Sequence, residues 1–95
     1  MATHLVVKDF EKFQRYKDRR PPWIKLYRWL LDDYELMAMP GDTFRLLICL
    51  WIMASEFENK IPRDQAEWRL HIDGDSFGTL LEPLLHTGHV REVCK

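Results

Sequence analysis

The sequence predicts a mainly helical domain with short β-strands, arranged as a winged helix-turn-helix. Three observations predict this fold class. A strongly apolar helix is followed by a turn and a short helix, an amphipathic helix comes next, and β-branched segments stand near both ends of the chain. With 95 residues, the chain has room for one domain, spanning residues 1–95.

The N-terminal half is predicted to hold one strand and two helices. Residues 4–10 are rich in β-branched and aromatic side chains, which favours a strand. Helical spacing of apolar residues predicts a first helix over 23–33, followed by a connector over 34–40. A second helix is expected over 43–57, capped by Asp42, and its nearly continuous apolar surface predicts the most buried element.

The C-terminal half is predicted to hold two helices and a closing strand. A third helix over 64–72 begins at Asp64–Glu67, a sequence with the form of a capping box. Apolar residues at helical spacing over 77–85 predict a fourth helix, which Pro83 should kink or leave frayed in its first half. Residues 89–94 complete the order as a strand, which favours the winged variety of helix-turn-helix.

The charges are balanced overall but separated along the chain. The composition is 46% hydrophobic with a net charge of −1, which argues against a disordered chain, a general nucleic-acid coat and a membrane-surface protein. Residues 15–28 carry six basic residues and one acidic residue, a net charge of +5, whereas residues 29–95 carry 6 basic and 12 acidic residues, a net charge of −6. A domain with this polarity can hold an anionic partner on one side, although a solvated basic loop is the alternative.

Cysteine usage and the N-terminus predict a cytoplasmic protein without a membrane partner. Cys49 stands in an apolar run and is expected to be a buried small side chain, and its spacing from Cys94 fits neither a disulfide framework nor a zinc knuckle. The first ten residues lack the pattern of a signal peptide. The longest uncharged apolar run, Leu46–Ala54, is far shorter than the roughly 20 residues that span a bilayer.

No pattern in the chain predicts catalysis or a cofactor. The sequence contains neither a nucleophile elbow nor a glycine-rich phosphate loop. His86 and His89 with Cys94 lack a fourth zinc ligand, and Asp73–Asp75 lacks the rest of a calcium loop. We therefore expect no enzyme activity, no metal and no cofactor.

Basic and amide side chains in two regions are the candidate DNA contacts. Those in the basic stretch would meet phosphates, although they could instead be solvated or pair with Asp32 and Asp33. Those of the 64–72 helix and its entrance would lie where a helix-turn-helix contacts DNA; Gln65 could contact an adenine, although a polar role in the capping turn is the alternative. The candidate set is Lys17, Arg19, Arg20, Lys25, Arg28, Arg63, Gln65 and Arg69.

The four tryptophans are expected mainly in the core. Trp23, Trp51 and Trp68 stand on apolar helix faces, and stacking on unpaired bases is the alternative role. Trp29 stands near the polar stripe of its predicted helix, so it is the best candidate for a surface anchor in a protein interface.

Four segments together resemble a known family. They are FEKFQRYKDRRPPWIKLYRWLLDDYEL at 10–36, LLICLWIMAS at 46–55, KIPRD at 60–64 and LLEPLLHTGHV at 80–90. The chain resembles, over about residues 7–91, the N-terminal domain of phage and prophage replication-initiation proteins of the replisome-organiser type. The resemblance implies a winged-helix DNA-binding domain ahead of further sequence, in proteins that act at a phage origin and help to load the host helicase.

The sequence therefore predicts a non-catalytic DNA-binding domain of a phage or prophage replication protein. Its expected partners are DNA, in duplex form and bound weakly, a phage or host replication protein, and a second copy of the chain. The alternative is a protein-interaction or self-association module on the same scaffold. The acidic 64–72 helix and the low net charge favour that alternative, whereas the basic stretch and the family resemblance favour DNA.

Overall fold

The structure is a computed structural model that describes residues 3–10 and 24–94, without the side chain of Cys94. Within this part the chain is mainly helical with a small antiparallel sheet, which confirms the predicted class of helices with short strands. The elements in chain order are β1 (Thr3–Val7), a 3-10 helix (Arg28–Asp32), α1 (Tyr34–Met37), α2 (Gly41–Glu56), β2 (Ile61–Pro62), α3 (Arg63–Leu70), α4 (Gly74–Thr87) and β3 (Val90–Cys94).

The sheet joins the two ends of the described chain. Its strand order is β2-β1-β3, and both pairings are antiparallel. Leu5 in the central strand stands opposite Ile61, and Val7 stands opposite Val90. The strands predicted near the two termini are thus confirmed, whereas the two-residue strand β2 was not predicted, because a run containing proline carries little strand signal.

A buried asparagine extends the pairing of β1 beyond the end of β2. Asn59 Oδ1 accepts a hydrogen bond from the Val7 amide at 2.7 Å, and Asn59 Nδ2 donates to the Val7 carbonyl at 3.0 Å. Asn59 has a φ of 61°, in the left-handed region that asparagine tolerates better than most residues. One side chain therefore satisfies both backbone groups of a residue that β2 does not reach.

Helix α2 forms the middle of the core, as predicted. Leu47, Leu50 and Ala54 are fully buried. Cys49 and Trp51 are only half-buried, which corrects the expected full burial of both, although Trp51 still packs against the core. The apolar run of α2 extends around more of the helix than the fold covers. The hydroxyl of Thr43 donates to the carbonyl of Leu80 at 3.0 Å and ties α2 to α4.

The first half of the predicted pattern is wrong in three places. Residues 24–27 have no regular structure and the 3-10 helix covers only Arg28–Asp32, so the helix expected over 23–33 does not form in the described residues. Asp33 explains the break, because its Oδ1 accepts from the Leu36 amide at 3.1 Å and begins a separate helix where a connector was predicted. Helix α2 begins after Pro40 with no side-chain cap, so Asp42 stands in its first turn instead of capping it.

Helix α3 begins without the predicted capping box. Its N-cap is Pro62, and no side chain caps it. Asp64 Oδ1 instead accepts from the adjacent Gln65 amide at 2.9 Å, and the Glu67 carboxylate binds the Arg63 side chain. The helix ends at Leu70, two residues before the predicted end, because the next residue adopts a left-handed conformation.

Helix α4 is continuous across its proline. Asp73 caps it by accepting from the Ser76 amide at 2.8 Å, and the hydrogen bonds of Asp73 hold the pKa of its carboxyl group below the ordinary value. The helix then includes Pro83, so no frayed half precedes the proline. Gly88 follows with a φ of 83°, the left-handed ending that glycine adopts without strain. Helix α4 thus leads directly into β3.

Candidate nucleic-acid interface

The structure describes five of the eight predicted DNA contacts. Lys17, Arg19 and Arg20 lie outside the described residues. Arg28 is exposed on the 3-10 helix, and Lys25 is half-buried in the segment before it. These two residues are therefore the described end of the basic stretch, and Arg28 is the one whose side chain is open to solvent.

Arg63 is held by three groups of the protein itself. Its Nε donates to Glu67 Oε2 at 3.1 Å, and its Nη1 binds Glu92 on β3. Its guanidinium carbon lies 5.4 Å from the centroid of the Phe77 ring on α4. Burial opposes the charge of this side chain, but the hydrogen bonds to Glu92 and Glu67 outweigh that effect and raise its pKa. Arg63 therefore joins α3, α4 and β3, a role that competes with binding a phosphate.

Arg69 is also paired within the protein. Both of its terminal nitrogens bind the carboxylate of Glu56 at the end of α2, one of them at 3.0 Å. This hydrogen bonding lowers the pKa of Glu56. Gln65 is exposed on the same helix. Arg63 and Arg69 are therefore both paired with glutamates, whereas the structure records no ion pair or hydrogen bond of the Gln65 side chain among the described residues.

The solvent side of α4 carries negative charge. Asp75 and Glu82 are exposed there, together with Ser76, Thr79 and His86. The sequence of the helix contains neither lysine nor arginine. Acidic side chains facing a groove repel phosphates, so this surface is electrostatically unsuited to duplex DNA.

Exposed apolar side chains cluster in the segment of residues 26–37. Five large apolar side chains of this segment are each more than a third exposed, and the exposed fraction of Tyr34 is 84%. They are Leu26, Trp29, Leu31, Tyr34 and Met37. Trp68 on α3 is 77% exposed as well, which corrects its predicted place in the core: Ala66 is the buried residue of that short helix. The predicted surface position of Trp29 is confirmed.

An aromatic pocket lies beside this segment and between the sheet and α2. It is a cavity of about 160 Å³. Its apolar walls come from Val7, Phe10, Tyr27, Trp29, Leu30 and Trp51, and its polar lining comes from Lys8, Asp9, Asp33 and His89. We call this site the aromatic pocket. No local sequence pattern predicts this pocket, because its lining comes from four separate segments of the chain.

Asp33 and His89 face each other at the polar side of the pocket. Asp33 Oδ2 lies 3.6 Å from His89 Nε2. The Thr87 hydroxyl donates to the Pro83 carbonyl at 3.0 Å and lies 2.6 Å from His89 Nδ1. One ligand atom from each of Asp33, Glu35 and His89 lies within 4.8 Å of the others, so these three residues have the chemistry to hold a metal ion.

Comparisons with known proteins identify no relative. A scan against models of protein families, a search of curated proteins and a search of solved structures each return no match. The resemblance to phage replication proteins therefore stays a prediction. Among the described residues, no helix has the length and apolar character needed to cross a membrane.

Proposed function

We propose that this chain is a non-catalytic DNA-binding domain whose basic stretch, residues 15–28, supplies the phosphate contacts. The observation that carries the proposal is the separation of charge, +5 in the stretch and −6 in residues 29–95. An anionic strand is attracted to the first part and repelled by the second, which orients the domain on DNA. The resemblance to phage and prophage replication proteins supports the same function and suggests a replication partner.

The helical connections support a helix-turn-helix within this proposal. Helices α3 and α4 are joined by three residues, His71–Asp73, the length that this motif uses. Helices α2 and α3 are separated by six residues that include β2. We therefore assign α4, and not the predicted helix over 64–72, to the recognition position. Strand β3 follows α4 and pairs with the N-terminal β1.

The charges of the two helices argue against base reading in the major groove. Arg63 and Arg69 are engaged by glutamates, and the outer side of α4 is acidic. Inserting α4 into a groove would bring Asp75 and Glu82 close to phosphates. The proposal therefore gives the affinity to the basic stretch and predicts little discrimination between duplex sequences.

The test is a fluorescence anisotropy titration of duplex DNA over a series of salt concentrations. Replacing Arg19, Arg20 and Arg28 together by alanine should weaken binding to every sequence and make the log–log salt slope shallower by about 2–3 units, since each lost phosphate contact removes about 0.9. Three exposed cations elsewhere offer a matched control with the same change in charge: Arg45, Lys60 and Arg91.

Two results would contradict the proposal. One is the absence of binding to any DNA at low salt. The other is an equal loss of affinity in the two triple variants, because that would show a response to net charge without a localised contact. A preserved circular dichroism spectrum and melting temperature in both variants excludes unfolding as the cause.

A second function is favoured by the exposed apolar side chains of residues 26–37. Large apolar side chains that are exposed together in one short segment are a feature of protein-interaction sites. In this alternative the domain binds a replication protein or a second copy of itself, with Trp29 as an anchor. Sedimentation of wild type and of a Leu31→Ser, Tyr34→Ser variant tests self-association: a shift to the monomer supports the alternative, and a wild type that is already monomeric excludes the self-association form.

A further inference from the structure

We propose that the aromatic pocket accepts one unpaired nucleobase of a DNA strand, either single-stranded or extruded from a duplex. The inference rests on the proposed DNA binding and names the form of DNA that the domain prefers. It requires three properties of the pocket, namely aromatic walls, acceptors for the edge of a base, and positive charge next to the opening.

The walls provide the aromatic surfaces. Tyr27 and Trp29 flank Arg28 in sequence, Trp51 comes from the middle of α2, and Phe10 follows β1. Each of these rings contributes to one cavity of about 160 Å³. Stacking on aromatic side chains is the main way in which proteins hold unpaired bases, and it is available to every base because each has a π-face.

The polar side of the pocket provides a carboxylate and an imidazole next to each other. Asp33 Oδ2 and His89 Nε2 lie 3.6 Å apart. Both side chains are held in position, because Asp33 Oδ1 accepts from the Leu36 amide and His89 Nδ1 lies 2.6 Å from the Thr87 hydroxyl. Guanine, adenine and cytosine carry exocyclic amino groups that donate hydrogen bonds to an acceptor such as the Asp33 carboxylate. In a paired base these amino groups face the partner base or a groove, so an unpaired base is the better fit.

Positive charge next to the pocket favours a nucleic acid as the occupant. The exposed Arg28 stands in sequence between Tyr27 and Trp29 of the pocket wall. Lys8 lines the polar side together with Asp9 and Asp33. In sequence, the basic stretch with its net charge of +5 ends at Arg28. Residues 29–95 have a net charge of −6. A strand with a phosphate at Arg28 would have a neighbouring base within reach of the pocket wall. An aromatic side chain of a protein partner would fill the walls but would gain nothing from this charge.

The test compares three labelled DNA ligands of one guanine-containing sequence. They are the single strand, the same strand with abasic sites in place of bases, and the duplex. The intact strand is expected to bind roughly 5- to 100-fold more tightly than the abasic strand, the range that stacking of one base provides. The intact strand should also quench tryptophan fluorescence, and the abasic strand should not.

Two substitutions locate the effect. Trp29→Ala should remove the difference between the intact and abasic strands, and Trp29→Phe should restore part of it. Trp68→Ala is the matched control, because Trp68 is exposed on α3 and does not line the pocket. If Trp29→Ala proves unstable, the affinities of the intact and abasic strands for the wild-type protein are enough to test whether an unpaired base is bound.

The outcomes separate this inference from the proposed function. Equal, salt-sensitive binding of the intact and abasic strands would overturn the inference and leave the proposed phosphate contacts standing. A difference between strands that survives Trp29→Ala but disappears in Trp68→Ala would also overturn it. If no DNA ligand binds, the proposed function itself fails, and an aromatic protein side chain becomes the better candidate occupant.

Discussion

Replacing Asn59 by alanine is expected to destabilise the fold far more than its position in a turn suggests. The side chain satisfies the amide and the carbonyl of Val7 at 2.7 and 3.0 Å. Asn59 is only 8% exposed, so water has little access to replace it. Alanine would remove both partners and would also place a Cβ in the left-handed conformation without the polar side chain that favours it.

The size of the effect follows from these losses. A buried backbone group left without a partner costs about 1–3 kcal/mol, so the two groups of Val7 together cost about 2–6 kcal/mol. Domains are stable by only about 5–15 kcal/mol, so the substitution should remove a large share of the free energy of unfolding. At about 4–8 °C per kcal/mol, a loss of about 3 kcal/mol would lower the melting temperature by roughly 12–24 °C.

Chemical denaturation at two pH values tests this account. Lys60→Ala is the control, because residue 60 follows Asn59 directly but is exposed. It should change the free energy of unfolding by less than about 0.5 kcal/mol. Asn59→Asp keeps the acceptor for the Val7 amide and turns a carboxylate oxygen toward the Val7 carbonyl.

The aspartate variant gives the sign of the pH dependence. Repulsion from the Val7 carbonyl should raise the pKa of the introduced carboxyl group, since its protonated form can donate to that carbonyl. The folded state then binds more protons than the unfolded state, so the penalty relative to wild type shrinks as pH falls through the raised pKa. A penalty that is equal at neutral and acidic pH, or an Asn59→Ala variant as stable as Lys60→Ala, would refute the bridging role.

Three further outcomes are expected from the described contacts. Phe77→Ala should cost about 3–5 kcal/mol in urea denaturation, because the ring is fully buried and supports the Arg63 guanidinium. Arg63→Ala should lower the denaturation midpoint more than Arg69→Ala, because Arg63 is less exposed and binds two carboxylates, whereas Arg69 binds one. Hydrogen bonds from Ser76 lower the pKa of Asp73, so the ionised carboxylate stabilises the fold above the ordinary carboxyl pKa range. This stabilisation is lost as pH falls through the lowered pKa. Asp73→Asn keeps an N-cap acceptor that does not titrate, so its free energy of unfolding should fall less steeply with acid than that of the wild type.

The elements with strong periodicity could be predicted from the sequence. The apolar run of α2 and the amphipathic spacing of α4 each extend over several turns, and both helices form within a few residues of the expected bounds. Shorter segments failed because single side chains decide them. Asp33 accepts from the Leu36 amide and divides one predicted helix into a 3-10 helix and α1. The spacing of apolar residues does not reveal a single capping hydrogen bond of this kind.

The contacts that define the sites are distant in sequence and therefore left no local pattern. Asn59 binds Val7 across 52 positions, and His89 approaches Asp33 only because β3 lies beside β1. The aromatic pocket depends on the same pairing. Its residues were visible in the sequence as tryptophans and isolated charged groups, but their convergence is a property of the sheet order.

Arg63 illustrates why a basic residue at a helix entrance is weak evidence for DNA binding. To contact a phosphate, its guanidinium would have to leave Glu67, Glu92 and the Phe77 ring, and two carboxylates would remain unpaired near the approaching strand. The phosphate would supply one attractive interaction in place of three and would be repelled by the two carboxylates. Arg28 has no such conflict in its position, because it is exposed and continues a stretch with only one acidic residue. The electrostatic cost at α3 and the gain at the basic stretch therefore favour the same arrangement, the proposed one in which DNA is bound by the basic stretch and not by the two C-terminal helices.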